Sequence, residues 1–120
     1  MDAVSDVFDL LQLRGTFYFR TDFSGSWGTT VPKLGHAARF HYTVRGECWA
    51  KVEGQAPVRL SAGDFFMVPH GASHILSDRP IDDAPPLETV LRSAGYDGRH
   101  VLSNGVHDSE ASTQLICGHF

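Results

Sequence analysis

Hydrophobic and polar positions along this chain change period several times, and each change marks an element. Val4, Val7, Phe8 and Leu11 recur at helical spacing, with Asp2 or Ser5 able to cap the first turn and Gly15 to end it, so residues Val4 to Leu13 are expected to form a short helix. The pattern then turns aromatic and β-prone from Thr16 to Phe23, and the run Ser24 to Gly28 reads as a turn that closes a first strand. Further short β-prone segments follow at Ala38 to Arg45, Glu47 to Glu53, Pro57 to Leu60, Asp64 to Val68 and Ser73 to Leu76, set off by glycine, proline or an Ala-Gly pair. Short strands at such intervals belong to sandwiches and barrels. In the second of these segments the alternation turns Cys48, Ala50 and Val52 inward and leaves Trp49, Lys51 and Glu53 on the outer face.

The tract Ser77 to Pro86, with Pro80, Pro85 and Pro86, interrupts the strands. Beyond it Leu87, Val90 and Leu91 return to helical spacing, Pro86 suits a first helical turn and Gly95 a stop, which predicts a second short helix near 86–94. The apolar residues of that helix are read as core packing in preference to a dimer face. Two last strands are expected near His100 to Leu102 and Thr113 to Phe120. Phe17, Phe19, Phe65 and Phe66 are read as core residues. No repeat, low-complexity tract or linker divides the 120 residues, a length that suits one hydrophobic core, so 1–120 is expected to be a single domain.

Composition then narrows the classes of function. With 42% hydrophobic and 20% charged residues the chain has the balance of a folded globular protein. Its net charge is −4, and its ten Lys and Arg residues are scattered from Arg14 to Arg99. Direct nucleic-acid binding by this chain is therefore not expected, because it needs a concentrated positive patch to displace counterions from phosphates. No stretch approaches the roughly 20 apolar residues of a membrane helix, and two acids precede the apolar positions of the N-terminus, so a cytoplasmic location without membrane contact is expected. Cys48 and Cys117 form no CxxC pair; in the cytoplasm they are expected to be buried thiols or metal ligands and not a structural disulfide.

The segment from Gly63 to Asp78 has a physical logic of its own. Gly63 turns the chain into a hydrophobic strand, Pro69 ends that strand's ladder, Gly71 allows a backbone angle other residues resist, and His74 opens the return strand. The segment resembles the second cupin motif, G-x5-P-x-G-x2-H-x3-N, at each fixed position but the last, where Asp78 stands in place of Asn. The resemblance implies a mainly β fold, the cupin-type double-stranded β-helix or jelly-roll barrel, with the two short helices added. The first cupin motif is degenerate: Gly46 and the approach Phe40 to Arg45 are present, but His-x-His is not, His36 and His41 are the histidines of the region, and Arg39 falls where the acid would be.

The order of segments is similar to that of the N-terminal cupin domains of AraC-type transcription regulators. It rests on Leu11 to Gly15, Trp27-Gly28, Phe40-His41, Arg45 to Trp49, Ala62 to Asp64, Pro69 to Gly71, His74 to Asp78 and Ile116 to Gly118. That resemblance implies a non-catalytic domain that senses a small-molecule effector or a metal ion and forms a homodimer. The strand-like end at Phe120 is read as the edge of one domain in a longer regulator, whose DNA-binding helix-turn-helix units would lie in a C-terminal part absent from this chain.

Four side chains are expected to converge in the barrel: His41, Cys48, His74 and Cys117, a set that suits zinc or another divalent metal in a closed, structural or sensory site. The plainer reading has the cysteines as small buried hydrophobes and the histidines hydrogen-bonded to a ligand or the backbone. His70, in the turn, is a further metal candidate more typical of a rim residue. His119 shares a strand face with Cys117 but is expected to face solvent, and His100 and His107 are expected at the surface. Thiols beside zinc or each other would add oxidation as a second sensing mode. The alternatives to a sensor are a stand-alone cupin metalloenzyme, a dioxygenase or isomerase using His74 and a divalent metal, and a purely structural oligomerisation module.

Overall fold

The aromatic run that follows Gly15 becomes the first of nine described strands: β1 (Thr16–Phe23), β2 (Gly28–Val31), β3 (Arg39–Arg45), β4 (Glu47–Val52), β5 (Val58–Ser61), β6 (Phe65–Val68), β7 (His74–Ser77), β8 (Leu102–Asn104) and β9 (Thr113–His119). A helix, α1 (Leu87–Ser93), follows β7. The computed structural model describes residues 16–33, 38–93, 102–104 and 112–119, so the expected helix from Val4 to Leu13 lies outside the described residues, as do the side chains of Phe17 and Phe19. Two sheets form, one ordered β6-β3-β9-β1-β8 and the other β2-β7-β4-β5. All pairings are antiparallel except β1 with β8. This is the mainly β jelly-roll expected from the strand spacing and the motif.

Period-2 alternation explains most of the core, in which Phe23, Trp27, Val31, Cys48, Ala50, Leu60, Leu76, Leu115 and Cys117 form one buried cluster. Cys48 and Ala50 point inward as predicted, whereas Val52 and Trp49 are both half-buried. Phe65 corrects the expectation for its strand: it is 41% exposed and stacks on Phe40, while Phe66 packs partly against the core. Neighbours on a strand face opposite ways, so the two could not both enter the same core.

Strand β2 was not visible as a strand. Its four residues follow directly on the Ser24 to Gly28 turn, too short a run for alternation to register, yet it pairs with β7 from Gly28↔Ser77 to Val31↔His74. That turn also carries a core residue, since Trp27 packs on Phe23 at 4.6 Å between ring centroids.

The motif glycines take the conformations anticipated for them. Gly63 has φ +94° and Gly71 φ +64°, and the Gly71 N–H donates to Val68 O at 3.1 Å to close the turn around Pro69 and His70. Asp78, in the position of the pattern's Asn, accepts the Trp27 N–H at 3.1 Å and returns its own N–H to Trp27 O at 3.1 Å. A carboxylate oxygen accepts as well as an amide oxygen, so the departure leaves the tie between the β1–β2 turn and β7 intact.

At Gly46 the chain leaves one sheet for the other, with φ +80°, and a Cβ there would stand 2.7 Å from the carbonyl oxygen of Ser112. Gly54 has the same φ but open space around it. Gly54→Ala is therefore expected to cost about 1 kcal/mol, from the backbone conformation alone, and Gly46→Ala about 2–3 kcal/mol, because β9 must also shift. Urea unfolding midpoints of the two variants check this, and equal losses would show that the crossing yields freely.

Helix α1 starts just after Pro86, as its spacing predicts, and Leu91 packs against the core although the helix contributes no fully buried residue. The stretch before it is pinned to β2, where Thr30 donates its N–H to Pro85 O at 2.8 Å and its hydroxyl to Ala84 O at 2.7 Å. No described helix is long and apolar enough to cross a membrane.

Candidate functional site

The register of β3 against β9 places His41 directly opposite Cys117, and the alternation of β3 turns Arg39, His41 and Thr43 to the interior face. His74 arrives from the other sheet as the first residue of β7, delivered by the Gly71 turn. The two sheets therefore meet through side chains. His41 Nε2 lies 2.7 Å from His74 Nε2, His41 Nδ1 lies 3.0 Å from Cys117 Sγ, and His74 Nδ1 lies 2.8 Å from Ala72 O.

The fixed end of this chain of contacts assigns every proton in it. A carbonyl oxygen only accepts, so His74 Nδ1–H donates to Ala72, and in the neutral ring His74 Nε2 must then accept. His41 Nε2–H is its donor, which leaves His41 Nδ1 as the acceptor for the Cys117 thiol. The relay is closed and neutral, running from thiol to imidazole to imidazole to carbonyl.

Its electrostatics agree with that assignment. Burial holds His41 well below the ordinary histidine range, and the proximity of His74 and Arg39 lowers it further. His74 is also lowered, chiefly by burial, against an opposing push from its bond to Ala72. Burial first, and then Cys48, raise the Cys117 thiol, while burial pushes Cys48 up to about 12. Both cysteines are buried, free and protonated at neutral pH.

The structure thus brings together three of the residues singled out from sequence, His41, His74 and Cys117. Cys48 belongs to the same core cluster but sits on β4, opposite Leu60. His70 is exposed in the turn, and His119 is half-buried where solvent exposure was expected. His36, His100 and His107 lie outside the described residues. Among the described residues no group of three or more His, Cys, Asp or Glu is spaced to hold a metal ion. The reason lies in direction as well as distance. With Zn–N bonds of about 2.0–2.1 Å, two imidazole nitrogens on a tetrahedral zinc stand about 3.3 Å apart, wider than the His41–His74 contact. Cys117, moreover, faces the opposite nitrogen of the His41 ring. As placed, the four candidates do not fit one tetrahedral ion.

Beside the relay lies a small space of about 10 Å³, whose walls include Thr21, Thr29, Arg39, His41, Cys117 and, from α1, Leu87. Thr21 Oγ1 accepts the Leu115 N–H at 3.1 Å, whereas the buried Thr29 Oγ1 has no hydrogen-bond partner. Arg39 is only 8% exposed. Sequence reasoning registered Arg39 as a missing acid and did not count it or Thr29 among the site residues. The signal available was that Arg39 stands two residues before His41, on the same strand face.

Comparison with known proteins bears on the whole chain. A family model described as Cupin matches residues 2–120. A protein of Haemophilus influenzae named an uncharacterized HTH-type transcriptional regulator is 27% identical over 121 residues, an alignment that covers 100% of this chain and 39% of that protein. The chain thus spans well under half the length of this relative. A solved structure, Peruvianin-I, a cysteine peptidase from Thevetia peruviana latex, superposes with a TM-score of 0.45 at 13% identity over 88% of this chain and 60% of its own. That likeness is too slight to carry an argument.

Proposed function

Because the chain belongs to the cupin family, we propose that it serves as the non-catalytic effector-sensing and dimerisation domain of an AraC-type transcription regulator acting in the cytoplasm, the domain spanning 1–120. The observation that carries this reading is the closed relay. The motif histidine, His74, spends both ring nitrogens on partners inside the protein, so it holds no open position for a reacting group. The regulator named among its relatives supports the same reading. DNA contact would fall to the helix-turn-helix part of such a regulator. The metalloenzyme alternative requires about three firm protein ligands and a free position on the metal, and the described residues do not assemble such a set.

The test uses the full-length protein. A screen of small metabolites is expected to find compounds that raise its melting temperature and change its affinity for operator DNA together, with a ligand at 100 times its Kd adding about 2.7 kcal/mol. Sedimentation is expected to show a dimer. A stoichiometric divalent metal with substrate-dependent oxygen uptake would sink the sensor reading.

A further inference from the structure

We infer that the edge strand β6 is the surface through which two copies of this chain dimerise, with Phe65 and Met67 at the centre of the contact. The inference rests on the dimerisation half of the reading above and names the interface it uses.

Exposure is the first argument. The exposed large hydrophobics among the described residues are Val58, Phe65 and Met67, at 51%, 41% and 47%, and all three fall within the stretch 58–67, on β5 and β6. Those two strands are the end strands of their sheets. Single exposed apolar residues are ordinary, but a group of them on a sheet edge marks a contact.

The strand itself is the second argument. Monomeric proteins guard an edge strand with charge, proline or a bulge. None of these interrupts β6. No Asp, Glu, Lys or Arg occurs from Phe65 to Ser77, and Pro69 comes only after the last residue of the strand. The register of β6 on β3 runs from Tyr42↔Phe65 to Arg39↔Val68 without a shift, whereas the pairings of β9 with β1 and with β3 each carry one. Nor is the strand loose: Phe66 packs partly against the core and stacks on His74 at 6.4 Å between ring centroids, while Phe65 stacks on the buried Phe40 at 5.6 Å. The patch is thus held in place before a partner arrives, which lowers the cost of association.

Self-complementarity selects a second copy over other partners. Phe65 and Met67 share one face of β6, so a two-fold axis at Phe66 lays the strand antiparallel on its copy and sets Phe65 against the partner's Met67 twice over. A thioether against an aromatic ring is a favourable contact. The neighbouring charges call for no outside partner, because Arg59 is paired with Glu47 and Asp64 accepts the Ser61 N–H at 2.8 Å. The three exposed side chains offer on the order of 250 Å² per copy, about a third of the roughly 800 Å² that a stable interface buries on each side, enough for an apolar centre inside a polar rim. A dimeric helix-turn-helix regulator reads two half-sites through such a two-fold.

The experiment is sedimentation velocity on the full-length protein over a concentration series, with circular dichroism and melting temperature to establish that each variant folds. Wild type is expected to be a dimer, Met67→Glu to weaken it at least 100-fold, and Thr89→Glu, the same charge on an exposed position of α1, to leave it unchanged. Adding Phe65→Lys to Met67→Glu is expected to recover at least tenfold of that loss, because the axis sets the two changed positions against each other. A folded double variant that dimerises no more tightly than Met67→Glu overturns the inference. Should either charged variant not fold, Met67→Gln decides: a weakening of about tenfold is expected, and an affinity within twofold of wild type overturns the inference. A dimer that Met67→Glu leaves intact keeps the sensor and dimerisation reading and removes this interface. If wild type is monomeric and Met67→Glu changes operator affinity, the DNA-binding part of the regulator covers the patch, and the second-copy inference falls. If wild type is monomeric and indifferent to Met67→Glu, the interface and the dimerisation reading fall together.

Discussion

Replacing His41 by alanine is expected to cost about 3–5 kcal/mol of stability. The ring is 3% exposed and touches partners on both sides, so its removal opens a cavity and leaves two polar groups unsatisfied, the Cys117 thiol and the acceptor nitrogen of His74. Buried groups orphaned in this way cost about 1–3 kcal/mol each beyond the lost packing, with the weak thiol at the low end. The structure makes a sharper prediction for the pair. His74→Ala alone strands the His41 donor, but in the double variant neither nitrogen remains to be stranded, so the combined loss is expected to fall short of the sum by about 1–3 kcal/mol. Urea unfolding of the two single variants and the double variant measures that coupling. Strict additivity would show that the 2.7 Å contact contributes nothing and that the histidines act only by filling space.

How much of this was legible in the sequence depended on how local the controlling physics is. Gly63, Pro69, Gly71 and His74 could be read directly, because a positive φ, a lost donor and a fixed count of residues operate within one turn. The inward placement of Cys48 and Ala50 followed from alternation in a strand six residues long. Strand β2, at four residues, gave no alternation to read, and its pairing with β7 is decided almost 50 residues away. Likewise the site depends on register. His41 and Cys117 are 76 positions apart and His41 and His74 33 apart, and nothing local says which nitrogen of a ring faces which partner. Residue types alone left two readings, a His and Cys metal set or buried thiols with hydrogen-bonded histidines; the contacts of the ring nitrogens follow the second. Arg39 shows the complementary failure. Read against a motif it was an absence, whereas read along its own strand it is a cation facing inward with His41.

Acid is expected to destabilise this protein from just below neutrality, earlier than carboxylate titration would. Both relay histidines have folded pKa values below the unfolded value of 6.5, in each case chiefly through burial. Below pH 6.5 the unfolded chain therefore binds protons that the folded chain refuses, and stability falls as pH falls, by up to about 1.4 kcal/mol per pH unit for each histidine. The loss stops only below the folded pKa. Among the described residues no internal group softens this: Arg39 stays positive, the Cys117 and Cys48 thiols are raised and stay protonated, and no buried carboxylate faces the rings. Protonating His41 would also set its Nδ1–H against the Cys117 thiol proton and break the relay at the junction of the two sheets. Urea unfolding at half-unit steps from pH 7.5 to 5.5 should show a steadily falling midpoint, and His41→Gln should roughly halve the slope by removing the more strongly lowered of the two rings. A midpoint that stays level across that window would mean that the rings accept protons in the folded state, and the neutral relay assigned here would be wrong.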